Sequence, residues 1–288
     1  MQTNEPSQEA GAKAPPGKQW KFAPQGKKKA HQGRRKNANP NVPAGAVTLD
    51  RLPLIYLNVP KSACTTIKNH LYFAEHGRYI DEPLAIHANG GLQRSRERTE
   101  EATEFFANKL KQPHLVFTFV RHPGKRAYSC FSEKIFHESK YSFPKIRDYI
   151  VKHHHLKLPA KMDFNYDLSC HRANFMCFLD FVQANFAGST DVRVDAHWNI
   201  QTSIIEHFQR FFLIDFIGRV ETFEAQFGFV LDQFSLPHRP DIGVRFNEGP
   251  KPPFSYEQIA DEEVESRLRQ IYASDYQLLG YAANASFF

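Results

Sequence analysis

Two short apolar runs, each followed at once by a polar loop, dominate the pattern of hydrophobic and polar positions along the chain. The first covers residues 54–59 and the second residues 115–120. Runs of this length, without the alternation of a half-exposed strand, are typical of strands buried on both faces of a parallel sheet. Pro60 ends the first run and Arg121 ends the second. We therefore predict two buried strands, each with a polar loop at its carboxyl end.

Apolar residues at the spacing of a helix follow each polar loop and recur later in the chain. We predict that Thr65 or Thr66 caps a helix with Ile67 and Leu71 on its apolar face, because a hydroxyl satisfies N–H groups in the first turn. Further helices are predicted from Lys125 and at residues 97–110, 175–182, 221–234 and 262–272, and a further strand at residues 211–217. Such an alternation of strands and helices predicts an α/β layered fold.

Charge separates the first 47 residues from the rest of the chain. Residues 1–47 hold nine lysines and arginines against two acids, a net charge of +7, whereas the whole chain carries +6 and residues 48–288 therefore −1. The basic segment offers little apolar surface to offset the entropy of ordering it. The remainder, in a chain with 41% hydrophobic residues, can bury a sizeable core. We predict a disordered basic tail over residues 1–47 and one folded domain over residues 48–288.

The tail and the cysteines limit which partners and which cellular compartment are expected. A basic tail can contact an anionic membrane surface or nucleic acid, but the nearly neutral body argues against a specific nucleic-acid partner, and a solvated tail is the simpler interpretation. No apolar run approaches the roughly 20 residues of a membrane span, and the first residues show no apolar segment of the signal-peptide type. Four cysteines without a CxxC pair predict free thiols. We expect a cytoplasmic protein, with peripheral membrane contact through the tail as an additional role.

The first polar loop has the composition of an anion site. It places a lysine, small residues and two hydroxyls between a strand and a helix N-terminus: Pro60, Lys61, Ser62, Ala63, Cys64, Thr65 and Thr66. Backbone N–H groups and the helix dipole favour a phosphate there, and Lys61 adds a positive charge. The spacing differs from the GxxxxGK[ST] loop of magnesium-dependent nucleotide enzymes. A nucleotide-dependent kinase of related plan is therefore the less favoured alternative.

The second polar loop adds another phosphate-binding group. Arg121 follows the second strand directly, and Ser129 comes eight residues later. A guanidinium binds phosphate through two hydrogen bonds, and a hydroxyl adds a third. Because ligands of open α/β sheets bind beyond the carboxyl ends of the strands, the two loops predict a ligand phosphorylated at two positions. Arg126 and Lys134 are interpreted either as part of this site or as solvated helix charges.

The two loops, of the form PKxxxTT and RxPxxRxxS, resemble the 5′-phosphosulfate and 3′-phosphate loops of sulfotransferases that use 3′-phosphoadenosine-5′-phosphosulfate (PAPS). The resemblance is closest to the Golgi carbohydrate sulfotransferases. Within them it is closest to the chondroitin and dermatan 4-O branch, because residues 60–65 have the Ala-Cys-Thr form of that branch. Residues 195–198, 214–222, 272–276 and 280–281 are similar to that branch as well. The resemblance covers about residues 52–281. Golgi members carry a membrane anchor and extra cysteines that this chain lacks, so we expect a soluble bacterial relative.

The resemblance implies a fold, a co-substrate and a set of roles. The fold is the P-loop-like three-layer sulfotransferase fold, an α/β architecture with a central parallel sheet flanked by helices. PAPS is the implied co-substrate, no metal is needed, and the acceptor is a hydroxyl of a carbohydrate or glycolipid. The resemblance assigns Lys61 to the oxygen between sulfate and 5′-phosphate, Thr65 and Thr66 to the 5′-phosphate, and Arg121 and Ser129 to the 3′-phosphate.

Three side chains are candidates for the base that takes the proton of the acceptor hydroxyl. A histidine is suited to this role because its unperturbed pKa of about 6.5 lies near the working pH. His87 is preferred, since it lies in the polar connection after the first helix, where related glycan sulfotransferases present acceptor-side residues. His197, beside Trp198, lies in another matching segment. Glu133 is the third candidate.

Overall fold

A computed structural model describes residues 45–82, 86–87, 92–94, 108, 110–159, 165–246 and 251–281. The predicted disordered tail before residue 45 and most of the helix predicted at residues 97–110 lie outside this part of the chain. Among the described residues, no helix combines the length and the apolar character that a bilayer crossing requires.

A five-stranded sheet, in the order β3-β1-β2-β4-β5, forms the core of the fold. The strands are β1 (Ala46–Thr48), β2 (Leu54–Leu57), β3 (Gln93–Arg94), β4 (Leu115–Val120) and β5 (Phe216–Arg219). β2, β4 and β5 run parallel, whereas β1 pairs antiparallel with β2 and with β3. The carboxyl ends of the three parallel strands therefore lie at one edge of the sheet.

The helices of the described part follow in chain order. They are α1 (Cys64–His76), α2 (Pro123–Cys130), α3 (Pro144–His154), α4 (Leu168–Phe186), α5 (Gln201–Gln209), α6 (Phe223–Leu231), α7 (Tyr256–Ile259), α8 (Glu262–Ile271) and α9 (Ala273–Leu278). A π-helix (Phe131–Phe136) continues α2, and a 3-10 turn (Val220–Thr222) precedes α6.

Helices cover both faces of the sheet, which explains why β2 and β4 are buried at every position. On one face, Tyr56 and Phe117 pack with Ile67 of α1 and Phe227 of α6. On the other face, Ile55, Leu57 and Val116 of the same strands pack with Phe208 of α5. Successive strand residues thus point to opposite helical layers, as the pleat requires. The predicted α/β architecture, with a sheet flanked by helices, is confirmed. The sheet is mixed rather than wholly parallel as predicted, because β1 runs antiparallel to its neighbours β2 and β3.

β1 moves the predicted domain boundary. The prediction ended the tail at residue 47, but Ala46 and Val47 pair with Leu57 and Tyr56 and are only 1% and 2% exposed. The backbone N–H of Asn58 also donates to the carbonyl of Gly45 at 3.0 Å. The domain therefore includes residues from Gly45 onward. A three-residue strand is too short to stand out beside a long basic segment.

The strand predicted at residues 211–217 is wrong over its first half. The backbone N–H of Phe212 donates to Phe208 O at 3.0 Å and closes the end of α5, and both rings pack in the same apolar cluster. β5 begins only at Phe216. One apolar run in the sequence thus belongs to a helix end and to a strand, and its composition does not separate the two.

Candidate active site

The first polar loop leaves β2 and enters the N-terminus of α1 in a fixed conformation. Lys61 and Ala63 have left-handed backbones, with φ of 69° and 58°. Such conformations cost about 1–3 kcal/mol in non-glycine residues and persist where the surrounding structure fixes them. Ser62, between them, is fully buried, and its hydroxyl lies 3.4 Å from Gln201 Oε1. Packing beneath the loop therefore holds its shape.

Neither threonine caps α1, contrary to the prediction. Ala63 is the N-cap residue, and no side chain bonds the first turn from that position. Thr65 Oγ1 lies 2.8 Å from His87 Nε2, and Thr66 Oγ1 donates to Phe246 O at 3.1 Å. The hydroxyls thus reach sideways to other segments instead of back to the first turn, which leaves the N-terminal N–H groups of α1 for an anion.

The second polar loop leaves β4 beside the first. Arg121 Nη1 lies 3.5 Å from the carbonyl oxygen of Lys61, so both strand ends face the same space. Arg121 is half-buried, and this burial lowers the pKa of its guanidinium. At the start of α2, Gly124 packs so tightly on the ring of Tyr256 that a Cβ would collide with it. Only glycine fits this close approach between the second loop and α7.

A cavity of about 620 Å³ lies beside the two loops and is bordered by nearly every predicted site residue. The predicted residues in its wall are Pro60, Lys61, Ala63, Cys64, Thr65, Thr66, His87, Arg121, Ser129 and His197. Ser62 lies beneath the wall, where it is fully buried. Glu133, the third candidate base, lines the cavity as well.

Positive charge predominates in the cavity wall. Its cations are Lys61, Lys68, Arg121, Lys134 and Arg245, and its carboxylates are Glu133 and Asp195. A concave surface with an excess of one sign of charge concentrates ligands of the opposite sign. The cavity is therefore suited to an anion with several negative charges.

A π-helix places Glu133 between two lysines of this cavity. π-helices are rare and occur frequently at functional sites. Within Phe131–Phe136, the Glu133 carboxylate pairs with Lys61 and, at 2.7 Å, with Lys134. Burial by itself raises the pKa of Glu133, but the charges and hydrogen bonds of both lysines outweigh it and lower this pKa to about 2. Such a weakly basic carboxylate is a poor proton acceptor, which suits Glu133 to the role of counter-charge for the two lysines better than to that of the base.

Replacing Glu133 by glutamine is expected to change how stability depends on pH. The pKa of Glu133 falls from 4.5 to about 2 on folding, so its contribution is complete above about pH 4.5 and is lost as pH falls toward about 2. Urea unfolding of wild type and Glu133→Gln from about pH 7 to about pH 3 measures this. The difference in unfolding free energy between wild type and Glu133→Gln should be constant above about pH 4.5 and should shrink as the pH falls below it. Glu138→Gln, which alters an exposed carboxylate, is the control. A difference that persists unchanged in acid would contradict the assignment.

His197 is oriented by a neighbouring carboxylate. Its Nδ1 lies 2.6 Å from Asp195 Oδ1, which also accepts the backbone N–H of His197 at 2.9 Å. The carboxylate fixes the hydrogen on Nδ1 and leaves Nε2 to accept a proton. Burial lowers the pKa of His197, Asp195 opposes this, and the charges of Lys134 and Lys61 lower it further. His197 is therefore neutral, as a base must be, at neutral pH.

His87 lies in the cavity wall too, but both of its ring nitrogens contact protein groups. Nδ1 lies 3.3 Å from Lys68 Nζ, and Nε2 lies 2.8 Å from Thr65 Oγ1. An ammonium group only donates, so Nδ1 must accept and Nε2 carries the hydrogen. Neither nitrogen then retains a lone pair for a substrate proton. This geometry favours His197 over His87 as the base, the reverse of the predicted order.

Gln201, at the start of α5, joins the two loops and was not predicted. Its Oε1 accepts the backbone N–H of Arg121 at 2.9 Å, and its Nε2 donates to Arg121 O at 2.8 Å. The same Oε1 faces Ser62 of the first loop. Asp275 holds the glutamine in turn by accepting its backbone N–H at 2.9 Å. A single buried amide thus connects both strand ends, and a lone glutamine carries no sequence pattern that signals this.

Arg126 and Lys134 are not solvated helix charges. Their side chains are enclosed, with residue exposures of 1% and 8%. Lys134 donates to Tyr141 O at 3.0 Å in addition to its pairing with Glu133. Both belong to the structure around the cavity, which settles the two interpretations that the sequence left open.

Residues 45–282 match the model of the sulfotransferase family. The match spans most of the chain and includes both loops, His87, the His197 segment and Gln201. It does not distinguish one branch of the family from another. Comparisons with curated proteins and with solved structures gave no match.

Proposed function

The chain belongs to the sulfotransferase family, and on this basis we propose that it transfers the sulfuryl group of PAPS to a hydroxyl of a carbohydrate or glycoconjugate acceptor. One observation carries the proposal. The loops after β2 and β4, which are neighbouring parallel strands, border one cavity with an excess of positive charge. A nucleotide with phosphates at its 5′ and 3′ positions has the charge and the two anchor points that this arrangement suits.

Each loop would bind one phosphate of the donor. Thr65, Thr66 and the N-terminus of α1 would hold the 5′-phosphate, and Arg121 with Ser129 the 3′-phosphate. Lys61 would face the oxygen that bridges sulfur and the 5′-phosphate. Its carbonyl already lies beside the Arg121 guanidinium, which supports a single donor spanning both loops.

His197 and Lys61 would act at the two ends of the transferred group. Nε2 of His197 takes the proton of the acceptor hydroxyl, whose oxygen attacks sulfur in line and forms the new S–O bond. The S–O bond to the 5′-phosphate breaks, its electron pair stays on the phosphate oxygen, and adenosine 3′,5′-bisphosphate leaves. Lys61 stabilises the charge on that oxygen, and Asp195 stabilises the imidazolium. Positioning and charge thus suffice, as in phosphoryl transfer.

A nucleotide-dependent kinase is the competing function, and it is not favoured. The chain has no GxxxxGK[ST] motif, and the family match points to sulfuryl transfer instead. The carbohydrate acceptor rests on the resemblance in the sequence. The cytoplasmic location, the membrane contact of the basic tail and the absence of a specific nucleic-acid partner stay predictions.

Donor recognition can be tested by comparing two nucleotides that differ in one phosphate. Adenosine 3′,5′-bisphosphate is expected to bind about 10–100-fold more tightly than AMP, because charged hydrogen bonds to a second phosphate contribute about 1.5–3 kcal/mol. Isothermal titration calorimetry measures both affinities. Transfer of labelled sulfate from PAPS to a panel of glycans then tests the acceptor class.

Arg121→Ala should remove most of this preference without abolishing AMP binding, because the charged contact with the 3′-phosphate is lost while the backbone bonds of residue 121 to Gln201 stay in place. Lys125→Ala is the matched control, since Lys125 is a half-exposed cation on α2 whose partner is Glu257. The preference should survive in that variant. Equal affinity for the two nucleotides in the wild type, or tight binding of ATP only with Mg²⁺, would refute the proposed donor.

A further inference from the structure

Arg126 is an arginine of α2 with its side chain in the protein interior, at 1% exposure. All of its guanidinium nitrogens donate to main-chain carbonyl groups. Nε donates to Pro60 O at 2.8 Å, Nη1 to Asn199 O at 2.7 Å and Nη2 to Ala196 O at 2.7 Å. One planar group therefore bonds two chain segments that are far apart in the sequence.

The two segments are those that carry the proposed catalytic residues. Pro60 directly precedes Lys61, and Ala196 and Asn199 lie on either side of His197. The His197 turn has a second anchor in Trp198, which is fully buried and donates its Nε1–H to Asn185 at 2.8 Å. Arg126 is the group in this network that ties the turn to the Lys61 loop.

Burying the charge of Arg126 costs free energy that an apolar side chain would not cost. Removing a cation from water carries a penalty of several kcal/mol, and apolar residues of similar volume often replace buried charges with no loss of stability. Burial accordingly lowers the pKa of the Arg126 guanidinium. What arginine supplies and an apolar residue cannot is a rigid fork of donors at fixed angles. The fork of donors allows Arg126 to hold three carbonyl groups in one fixed arrangement.

We propose that Arg126 is a positioning residue that sets the Lys61 loop and the His197 turn at the separation and direction needed for sulfuryl transfer. The inference rests on the proposed function and adds a residue to it. Arg126 acts through the backbone of both segments and does not touch the reacting atoms. Because misplacement of a catalytic group by about 1 Å costs about 100-fold in rate, a loosened fork is expected to lower turnover even in a protein that still folds.

The test is Arg126→Lys, which retains the charge but cannot reach three carbonyls. We expect kcat to fall about 10–100-fold while KM for PAPS changes less than about threefold. The same substitution in a His197→Ala background should cost much less, because its effect through His197 is already absent. Val182→Ala, a truncation in the core of α4, is the control: it should lower the melting temperature and leave kcat near that of wild type.

A second measurement does not depend on turnover. In Arg126→Lys the NMR titration of His197 should shift, because the pKa of His197 depends on the burial of its ring and on its bond to Asp195, and the position of the turn fixes both. Val182→Ala should leave this titration in place. Arg126→Gln, which removes the buried charge, serves if lysine prevents folding.

The outcomes separate the two proposals. An active wild type, with unchanged kcat and an unchanged His197 titration in the Arg126 variants, would overturn the positioning role alone. A wild type that transfers no sulfate would overturn the proposed function. A shifted titration would then still support the link between Arg126 and the His197 turn, whereas an unshifted one would reject it.

Discussion

Lys61→Ala is expected to lower kcat for sulfuryl transfer by about 10²–10³-fold, the range found when one stabilising group is removed from a developing oxyanion. The fold should remain intact for a specific reason. Glu133, the partner of Lys61, keeps its contact with Lys134 at 2.7 Å, so the substitution leaves no unpaired carboxylate. Steady-state transfer of labelled sulfate gives kcat, and thermal unfolding checks the fold.

Lys134→Ala is the matched comparison, because Lys134 lines the same cavity and pairs with the same carboxylate. If Lys61 acts at the leaving oxygen, Lys134→Ala should cost less than about 10-fold. Equal losses in the two variants would mean that only the total charge of the cavity matters. Turnover near that of wild type in folded Lys61→Ala would contradict the assigned role directly.

His197→Ala is expected to lower kcat by about 10²–10⁴-fold, and His87→Ala by less than about 10-fold, because general base catalysis contributes on this scale. The reason is the hydrogen bonding of the two rings. Asp195 binds Nδ1 of His197 and leaves Nε2 to accept a proton, whereas both nitrogens of His87 contact protein groups. Transfer assays on the two variants at saturating PAPS measure the effect.

The pH profile gives an independent check of the base. A neutral His197 is required, and its pKa is lowered from 6.5, so kcat should fall on the acid side below about pH 6.5. Asp195→Asn removes an interaction that raises the pKa of His197, so the fall of kcat on the acid side should move to lower pH. The maximal kcat should decrease as well. Lys134→Ala removes a charge that lowers this pKa, so the fall of kcat on the acid side should move to higher pH. A larger loss in His87→Ala than in His197→Ala would reverse the assignment.

The strand-end loops were predictable because their signals are local. Each buried strand is a continuous apolar run, and parallel strands bring their carboxyl ends to one edge, so the cavity that Lys61 and Arg121 share followed from the pattern. The threonine caps were predicted from the same local rules and were wrong. A hydroxyl at that position has competing partners, and His87 and Phe246 are too distant in sequence for a capping rule to include.

The bonds that connect the loops were not predictable, although the motif of the second loop had already singled out Arg126. Gln201 and Arg126 act through bonds that span 80 and 66 positions of the chain, and their own neighbourhoods are ordinary helix. The predicted order of the two histidines, which the geometry reverses, stays untested, and the sequence could not decide it for a related reason. Which ring nitrogen keeps its lone pair depends on contacts with Lys68 and Asp195, and residue type alone does not reveal those contacts.

The left-handed backbones of Lys61 and Ala63 have a consequence for the speed of ligand capture. Residues 60–66 contain no glycine, so this loop is not a flexible segment that becomes ordered only when the ligand binds. The entropy of ordering it is lost when the chain folds rather than when the nucleotide arrives. Encounter then needs no search among loop conformers. Diffusion and the attraction between the cavity and a polyanion are left to set the association rate, which should therefore fall as ionic strength rises.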